Sequence, residues 1–123
     1  MLFRSLQGQV AYHEFEGVTV NPDEKGRMLA SIGTKRAVIL RNHGLLAWAD
    51  SLPRAFAILW LLNRACEIQL ASTAMGPVIE IPEAIQRKCT RDSLQFNPAF
   101  GAGQDVFDAL TRVIDAVDPS YKD

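Results

Sequence analysis

The longest apolar pattern in the chain predicts a long helix over residues 51–75. Ser51 and Pro53 are typical of a helix start, and Gly76 followed by Pro77 ends the pattern. Because the helix is apolar around most of its girth, we expect a sheet to cover one side and another element or another subunit to cover the other. Trp60 lies between its two apolar stripes, which consist of Phe56, Leu59, Leu62 and Cys66 and of Ile58, Leu61, Ala65 and Ile68.

Three shorter segments predict strands. Residues 9–15 contain β-favouring Val, Tyr and Phe, and residues 35–41 form an apolar run between charged residues, typical of a buried strand. Residues 45–49 continue the apolar pattern after an interruption at Asn42-His43-Gly44. Mixed strands and covering helices indicate an α/β or α+β fold.

A helix start is predicted at Asn21-Pro22-Asp23-Glu24. Asn21 suits the capping position, Pro22 the first helical position, and Glu24 the acidic position of a capping box. Met28, Leu29 and Ile32 form its apolar stripe, and Gly33 suits a left-handed helix end.

Two further helices are predicted in the second half of the chain. A short one starts at Pro82-Glu83, and residues 96–103 then form a loop. The last helix spans residues 104–117 and stops at Asp118-Pro119. Its apolar positions are expected to face inward; they are Val106, Leu110, Val113 and Val117.

Composition indicates one domain without an obvious electrostatic partner. The 123 residues carry 13 Lys and Arg against 14 Asp and Glu, a formal net charge of -1, so neither nucleic acid nor an anionic membrane surface is favoured as a partner. The longest apolar run has eight residues (55–62), too few for a membrane span, and the first residues lack the apolar core of a secretory signal. Two cysteines without a C-x-x-C spacing do not indicate a disulfide framework. We therefore expect a cytoplasmic protein.

His43 is the main candidate for chemistry that the residues themselves offer. It lies between two predicted strands, and Gly44 after it would let a ligand or another backbone come close. The alternative is a turn histidine without a ligand. His13 with Glu14 and Glu16 looks like a metal cluster, but strand alternation would place His13 on one face and both glutamates on the other.

Other chemistries find little support. The sequence contains no G-x-S-x-G elbow and no glycine-rich phosphate loop, and Gly101 and Gly103 follow a loop rather than a strand. Cys66 fits a small core residue, and Tyr121 in the polar tail fits a surface or docking residue.

Four segments resemble the class II aldolase/adducin family, in particular its adducin-like bacterial branch. They are VAYHEFEG (10–17), VILRNHGLLAW (38–48), RACEIQ (64–69) and DPSYKD (118–123). The resemblance runs from Phe3 to the end and implies a three-layer α/β/α sandwich, usually assembled as a tetramer. It implies that residues 1–123 form a single partial domain that lacks the N-terminal half.

The resemblance also implies which residues belong to a site. His43 matches the third histidine with which the family's enzymes hold a divalent metal, usually zinc. The other two ligands form a His-x-His pair in the first half of the domain, and this sequence contains no His-x-His. The chain is therefore expected to retain no metal. Tyr121 matches a C-terminal tyrosine that some family aldolases lend to a neighbouring subunit as a catalytic acid.

The function implied is that of a divalent-metal-dependent lyase or epimerase acting on a sugar or sugar phosphate. This chain would be an inactive C-terminal fragment of such an enzyme. The alternative is an assembly module without catalysis, similar to the adducin head, and a third possibility is an inert fragment that folds by self-association. In each case we expect a homodimer or homotetramer.

Overall fold

A computed structural model shows a small mixed sheet with helices packed on it. It describes Leu6 and residues 8–17, 22–93 and 103–122. In chain order the elements are β1 (Val10–His13), α1 (Glu24–Ile32), β2 (Ala37–Leu40), β3 (Gly44–Ala47), α2 (Leu52–Thr73), α3 (Glu83–Ser93) and α4 (Gln104–Val117), followed by a 3-10 turn (Ser120–Lys122).

The sheet has the order β1-β2-β3. β1 pairs with β2 in parallel, with Val10 opposite Ala37 and His13 opposite Leu40. Parallel neighbours need a crossover connection, and α1 lies within that connection. β2 and β3 pair antiparallel with Leu40 opposite Gly44, so that residues 41–43 form a tight hairpin loop. All three predicted strands are confirmed, each somewhat shorter than the sequence pattern suggested.

Helices cover both faces of this sheet. Cross-strand partners share a face, which places Val10, Ala37 and Ala47 together. These residues belong to the core around Leu62 of α2. On the opposite face His13 contacts Ser31 of α1. The helix-sheet-helix layering agrees with the predicted α/β sandwich.

The core is small and centres on α2. Leu62, Val38 and Ala37 are fully buried, and Leu6 and Ala65 are nearly so. Burying a leucine side chain stabilises a fold by about 1.5–3 kcal/mol relative to leaving it exposed. The predicted long helix is confirmed, and Cys66 packs against the core as expected. The sequence also predicts that another element or another subunit covers the second side of α2. Trp60 is 48% exposed in this chain, and that prediction stays untested.

The start of α1 differs from the expected capping box. Asn21, the predicted cap, lies outside the described residues, and Asp23 occupies the capping position without a side-chain hydrogen bond to the helix backbone. Glu24 is the first helical residue, and it is buried rather than exposed as a solvated cap partner. Gly33 ends the helix with φ 53° and ψ -123°, so its φ is positive but its conformation is not the left-handed helical one that the sequence predicted; its N–H donates to the Leu29 carbonyl at 3.0 Å.

The prediction of the inward face of α4 was wrong, although its bounds were right. Val106, Leu110, Val113 and Val117 are 42–79% exposed. The face toward α2 is instead formed by Gly103 and Phe107, and the Phe107 ring meets Phe56 edge-on at 5.6 Å between centroids. A Cβ on Gly103 would lie 2.4 Å from the Ala57 Cβ, so the missing side chain permits this approach. That close contact sets the rotation of the helix.

The remaining predictions concern α3, the loop that follows it and the absence of a membrane span. The short helix predicted at Pro82-Glu83 is confirmed as α3. The loop predicted over residues 96–103 lies outside the described residues except for Gly103. Among the described helices, none is long and apolar enough to cross a membrane.

Candidate functional site

The candidate site lies at the carboxyl edge of the two parallel strands. β1 ends at His13 and β2 ends at Leu40, so the segments that follow them meet at one edge of the sheet. Such edges are where open α/β sheets place their ligand sites. A cleft of about 40 Å³ opens there, lined by residues 13–17 and by Glu24, Met28, Leu40, Arg41 and His43.

His43 projects from the β2–β3 hairpin. Its N–H donates to the Leu40 carbonyl at 3.0 Å, which closes the turn. The positive φ that a three-residue hairpin loop requires is taken by Asn42, at 56°. Gly44 is an ordinary strand residue at this turn without a positive φ, and no described atom lies within 4 Å of the position that its Cβ would take. No other backbone approaches it here, and the approach of a ligand stays a prediction.

The His43 imidazole is exposed at the rim of the cleft. The ring of Phe15 stacks on it, with 6.4 Å between ring centroids and 27° between planes. The stacking joins the segment after β1 to the hairpin and limits the orientations open to the imidazole. His43 therefore lines the cleft from a well-defined turn.

His13 lies deeper in the same cleft and is 5% exposed. Its Nδ1 is 3.0 Å from the Ser31 hydroxyl, and that hydroxyl donates its one proton to the Arg27 carbonyl. Both contacts are hydrogen bonds at once only if His13 Nδ1–H donates to Ser31, and in a neutral ring this leaves Nε2 unprotonated. Nε2 is buried without a hydrogen-bond partner among the described residues.

Glu16 approaches His13, contrary to the alternation expected from the sequence. β1 ends at His13, so the chain turns before Glu16 instead of continuing as a strand. Glu16 Oε1 comes to 3.8 Å from His13 Nε2, beyond hydrogen-bond distance. The prediction that both glutamates face away from His13 was therefore wrong for Glu16.

Arg27 of α1 holds Glu16 in this position. Arg27 Nε lies 2.9 and 3.0 Å from the two carboxylate oxygens, and Nη2 also contacts Oε2. The hydrogen bond from Arg27 is the main cause that lowers the pKa of Glu16 below its ordinary value, and the charge of Arg27 acts in the same direction. Glu16 therefore remains a carboxylate at neutral pH.

The cleft is rimmed by further charges of both signs. Glu14 pairs with Arg41 at 3.0 Å, and the Arg41 guanidinium lies 5.3 Å from the centre of the Tyr12 ring. Glu24, 6% exposed, adds a carboxylate to the wall. The site is thus a narrow cleft with charged residues at its rim and with one buried and one exposed imidazole.

This arrangement does not complete a metal centre. Within the part of the chain that the structure describes, no three His, Cys, Asp or Glu side chains are grouped so that they could hold a metal ion. Catalytic zinc sites use three protein ligands and leave one position open. His43 would supply one donor, so the residues present do not fit a retained metal. Cys66 and Cys89 are free thiols.

Tyr121 is not brought to this cleft. It lines a separate apolar cleft of about 220 Å³ with Phe56, Phe107, Leu110, Thr111 and Ile114. Its hydroxyl donates to Asp115, and this hydrogen bond is the main cause that raises the pKa of Tyr121 above its ordinary value. Lys122 Nζ holds the other Asp115 oxygen at 2.7 Å.

Sequence reasoning missed two residues that shape the site. Ser31 and Arg27 lie one turn apart on α1 and set the His13 tautomer and the Glu16 position. The topology carries a signal for the meeting of His13 and His43 that the sequence analysis did not use: parallel strands joined by a helix bring their carboxyl ends to one edge. Nothing in the sequence pattern indicated that Ser31 and Arg27 of α1 would contact His13 and Glu16.

Comparison with known proteins identifies the family. The sequence model described as Class II Aldolase and Adducin N-terminal domain matches residues 2–70, more than half of the chain. A protein of Pseudomonas aeruginosa named as an aldolase class 2 protein is 35% identical over 117 residues, which cover 92% of this chain and 45% of that protein. Alpha-adducin of Rattus norvegicus is 33% identical over 120 residues, covering 88% of this chain and 16% of the adducin.

Solved structures agree with the sequence comparison. An aldolase II superfamily protein from Pseudomonas syringae superposes with a TM-score of 0.83 at 31% identity, covering 98% of this chain and 48% of that one. L-fuculose 1-phosphate aldolase from Glaciozyma antarctica gives a TM-score of 0.69 at 25% identity, with 95% and 42% covered. The chain spans less than half the length of these bacterial relatives and solved structures. It belongs to the class II aldolase/adducin family.

Proposed function

We propose that residues 1–123 are the C-terminal half of a class II aldolase-type domain, in which His43 is one ligand of a divalent metal. In the complete domain the activity would be that of a lyase or epimerase acting on a sugar or sugar phosphate. The observation that carries this proposal is the placement of His43: an exposed imidazole, held by a turn and by Phe15, at the carboxyl edge of the parallel strands.

The remaining ligands must come from residues outside this chain. One imidazole does not retain a catalytic metal, which needs three protein ligands. We therefore propose that the chain by itself is inactive and metal-poor. His43 would contribute a coordinate bond and no proton transfer.

Tyr121 is proposed as an acid for the cleft of a neighbouring subunit. It cannot serve the His43 cleft of its own chain in the observed arrangement, because it lines a different cleft. The Asp115 contact keeps the hydroxyl protonated at neutral pH. This role requires a homodimer or homotetramer, and the exposed apolar side chains of α2 and α4 supply surface for one. A cytoplasmic location remains part of the proposal.

A chimeric protein tests the metal role of His43. In the Pseudomonas aeruginosa relative, the aligned segment would be replaced by this chain, and bound metal would be measured by inductively coupled plasma mass spectrometry. We expect close to one divalent metal per chimera and a loss of at least tenfold in His43→Ala. His13→Gln serves as the control for a general disturbance of the cleft. Equal metal content in the chimera and its His43→Ala variant would contradict the proposal.

The second candidate is an assembly module without catalysis. The 33% identity to alpha-adducin favours this alternative. It predicts a chimera that assembles into a homo-oligomer and remains metal-free with or without His43. Both functions predict a homo-oligomer, so the metal content of the same samples separates them.

A further inference from the structure

We propose that His13 Nε2 is the acceptor of a small hydroxyl-donor site in the floor of the His43 cleft. The donor is a hydroxyl group, from a water molecule or from a polyhydroxylated ligand bound in the cleft. Only the second source rests on the proposed function.

The protonation pattern of the His13 ring supports this site. The Ser31 hydroxyl donates to the Arg27 carbonyl at 3.0 Å, so it can only accept from His13 Nδ1–H. A neutral imidazole carries one ring proton, and this pair of hydrogen bonds places it on Nδ1. Nε2 therefore presents a lone pair, and it is buried with no partner among the residues that the structure describes.

Glu16, the nearest group, cannot donate a hydrogen bond to the lone pair of His13 Nε2. Glu16 Oε1 lies 3.8 Å from Nε2, and the double contact with Arg27 keeps Glu16 ionised. A carboxylate and an unprotonated imidazole nitrogen are both acceptors, so they do not bond to each other. A group that brings its own protons and lies to one side of this pair would donate to both atoms.

The size of the cleft also fits a small hydroxyl donor. The cleft has a volume of about 40 Å³, whereas one water needs roughly 10–15 Å³ of such space. The cleft therefore has room for about three water molecules or for one hydroxyl-bearing end of a ligand, not for a whole ligand. The rest of a polyhydroxylated ligand would lie toward the rim, where His43 and Arg41 are exposed.

The tautomer is tested by nitrogen-15 NMR of the histidine rings. At a pH of about 8.5, where an ordinary imidazole is neutral, we expect His13 to show a protonated Nδ1 and an unprotonated Nε2. Ser31→Ala removes the acceptor and should shift most of the population to the Nε2–H form, whereas His43→Ala should leave His13 unchanged. A wild-type His13 protonated on Nε2 would overturn the proposal.

Two further measurements on the same sample identify the donor. A water source predicts a nuclear Overhauser effect between a long-lived water and the His13 ring protons. A ligand source predicts a saturable shift of the His13 Nε2 resonance on titration with dihydroxyacetone, lost in His13→Gln, which removes the imidazole. If neither the water contact nor the shift appears, the site is refuted. Metal binding at His43 does not enter either readout, so failure here is distinguishable from failure of the proposed function.

Discussion

Short polar contacts between side chains hold two segments in place, the one that follows β1 and the one that follows α4. At the end of β1, Arg27 holds Glu16 beside the buried His13. At the C-terminus, Asp115 holds the Tyr121 hydroxyl and the Lys122 ammonium. These groups are exposed, where ion pairs contribute little to stability, so their effect is to position segments rather than to stabilise the fold.

The titration of Tyr121 tests the Asp115 contact. The hydrogen bond raises the pKa of Tyr121, so its stabilising contribution is complete below the unfolded pKa of about 10 and is lost as pH rises through the folded value. We expect the Tyr121 phenolate to form at lower pH in Asp115→Asn than in wild type, by ultraviolet difference spectroscopy. Tyr121→Phe isolates the signal from Tyr12. An unchanged titration in Asp115→Asn would contradict the contact.

At the scale of elements, one glycine sets how α4 packs on α2. Gly103 has φ 91°, and an added Cβ would lie 2.4 Å from the Ala57 Cβ and 2.8 Å from the Pro53 carbonyl oxygen. The apolar stripe of α4 predicts that the helix is amphipathic but not which neighbour it meets. The close approach at Gly103 decides this, and it turns Phe107 toward α2.

Gly103→Ala should therefore destabilise the protein by about 1–3 kcal/mol, because the added methyl group overlaps α2. Gly26→Ala is the matched control: Gly26 lies inside α1 with open space around it, and alanine is favoured there by about 1 kcal/mol. Urea denaturation compares the free energies of unfolding. Gly103→Ala with stability equal to wild type would contradict the packing of α4.

The core of α2 offers a second comparison. Leu62 is fully buried, whereas Leu70 on the same helix is 73% exposed. We expect Leu62→Ala to cost about 2–5 kcal/mol and Leu70→Ala to stay within about 0.5 kcal/mol. Thermal denaturation followed by circular dichroism provides the measurement. Similar losses for both variants would show that α2 is rotated from the described orientation.

At the scale of the whole molecule, apolar patterns, residue types and helix start signals predicted the four α-helices and three strands of the described residues, because these signals are local; the 3-10 turn Ser120–Lys122 was not predicted. The family resemblance identified His43 for the same reason, since its motif is contiguous. What periodicity could not predict depends on tertiary contacts: the end of β1 at His13, which brings Glu16 back, and the rotation of α4. The Ser31 contact with His13 joins positions 18 residues apart, and the pattern of apolar and polar residues does not indicate it.

The chain exposes much apolar surface, and we expect it to associate. Trp60 is 48% exposed on α2, in the region that the sequence predicts to be covered. An aspartate buried unpaired in an interface costs several kcal/mol, roughly 3–5, so Trp60→Asp should weaken assembly far more than His43→Ala. Sedimentation equilibrium measures both. A wild-type monomer of 13.6 kDa across micromolar concentrations would contradict this expectation.

The central claim is that His43 is one donor of a metal site that this chain does not complete by itself. The most direct test is the metal content of the 123-residue protein, purified without chelator, beside that of His43→Ala. The ligand count predicts far less than one equivalent of zinc or other divalent metal in both proteins. Near-stoichiometric metal in the wild type that disappears in His43→Ala would show a complete site and contradict the claim.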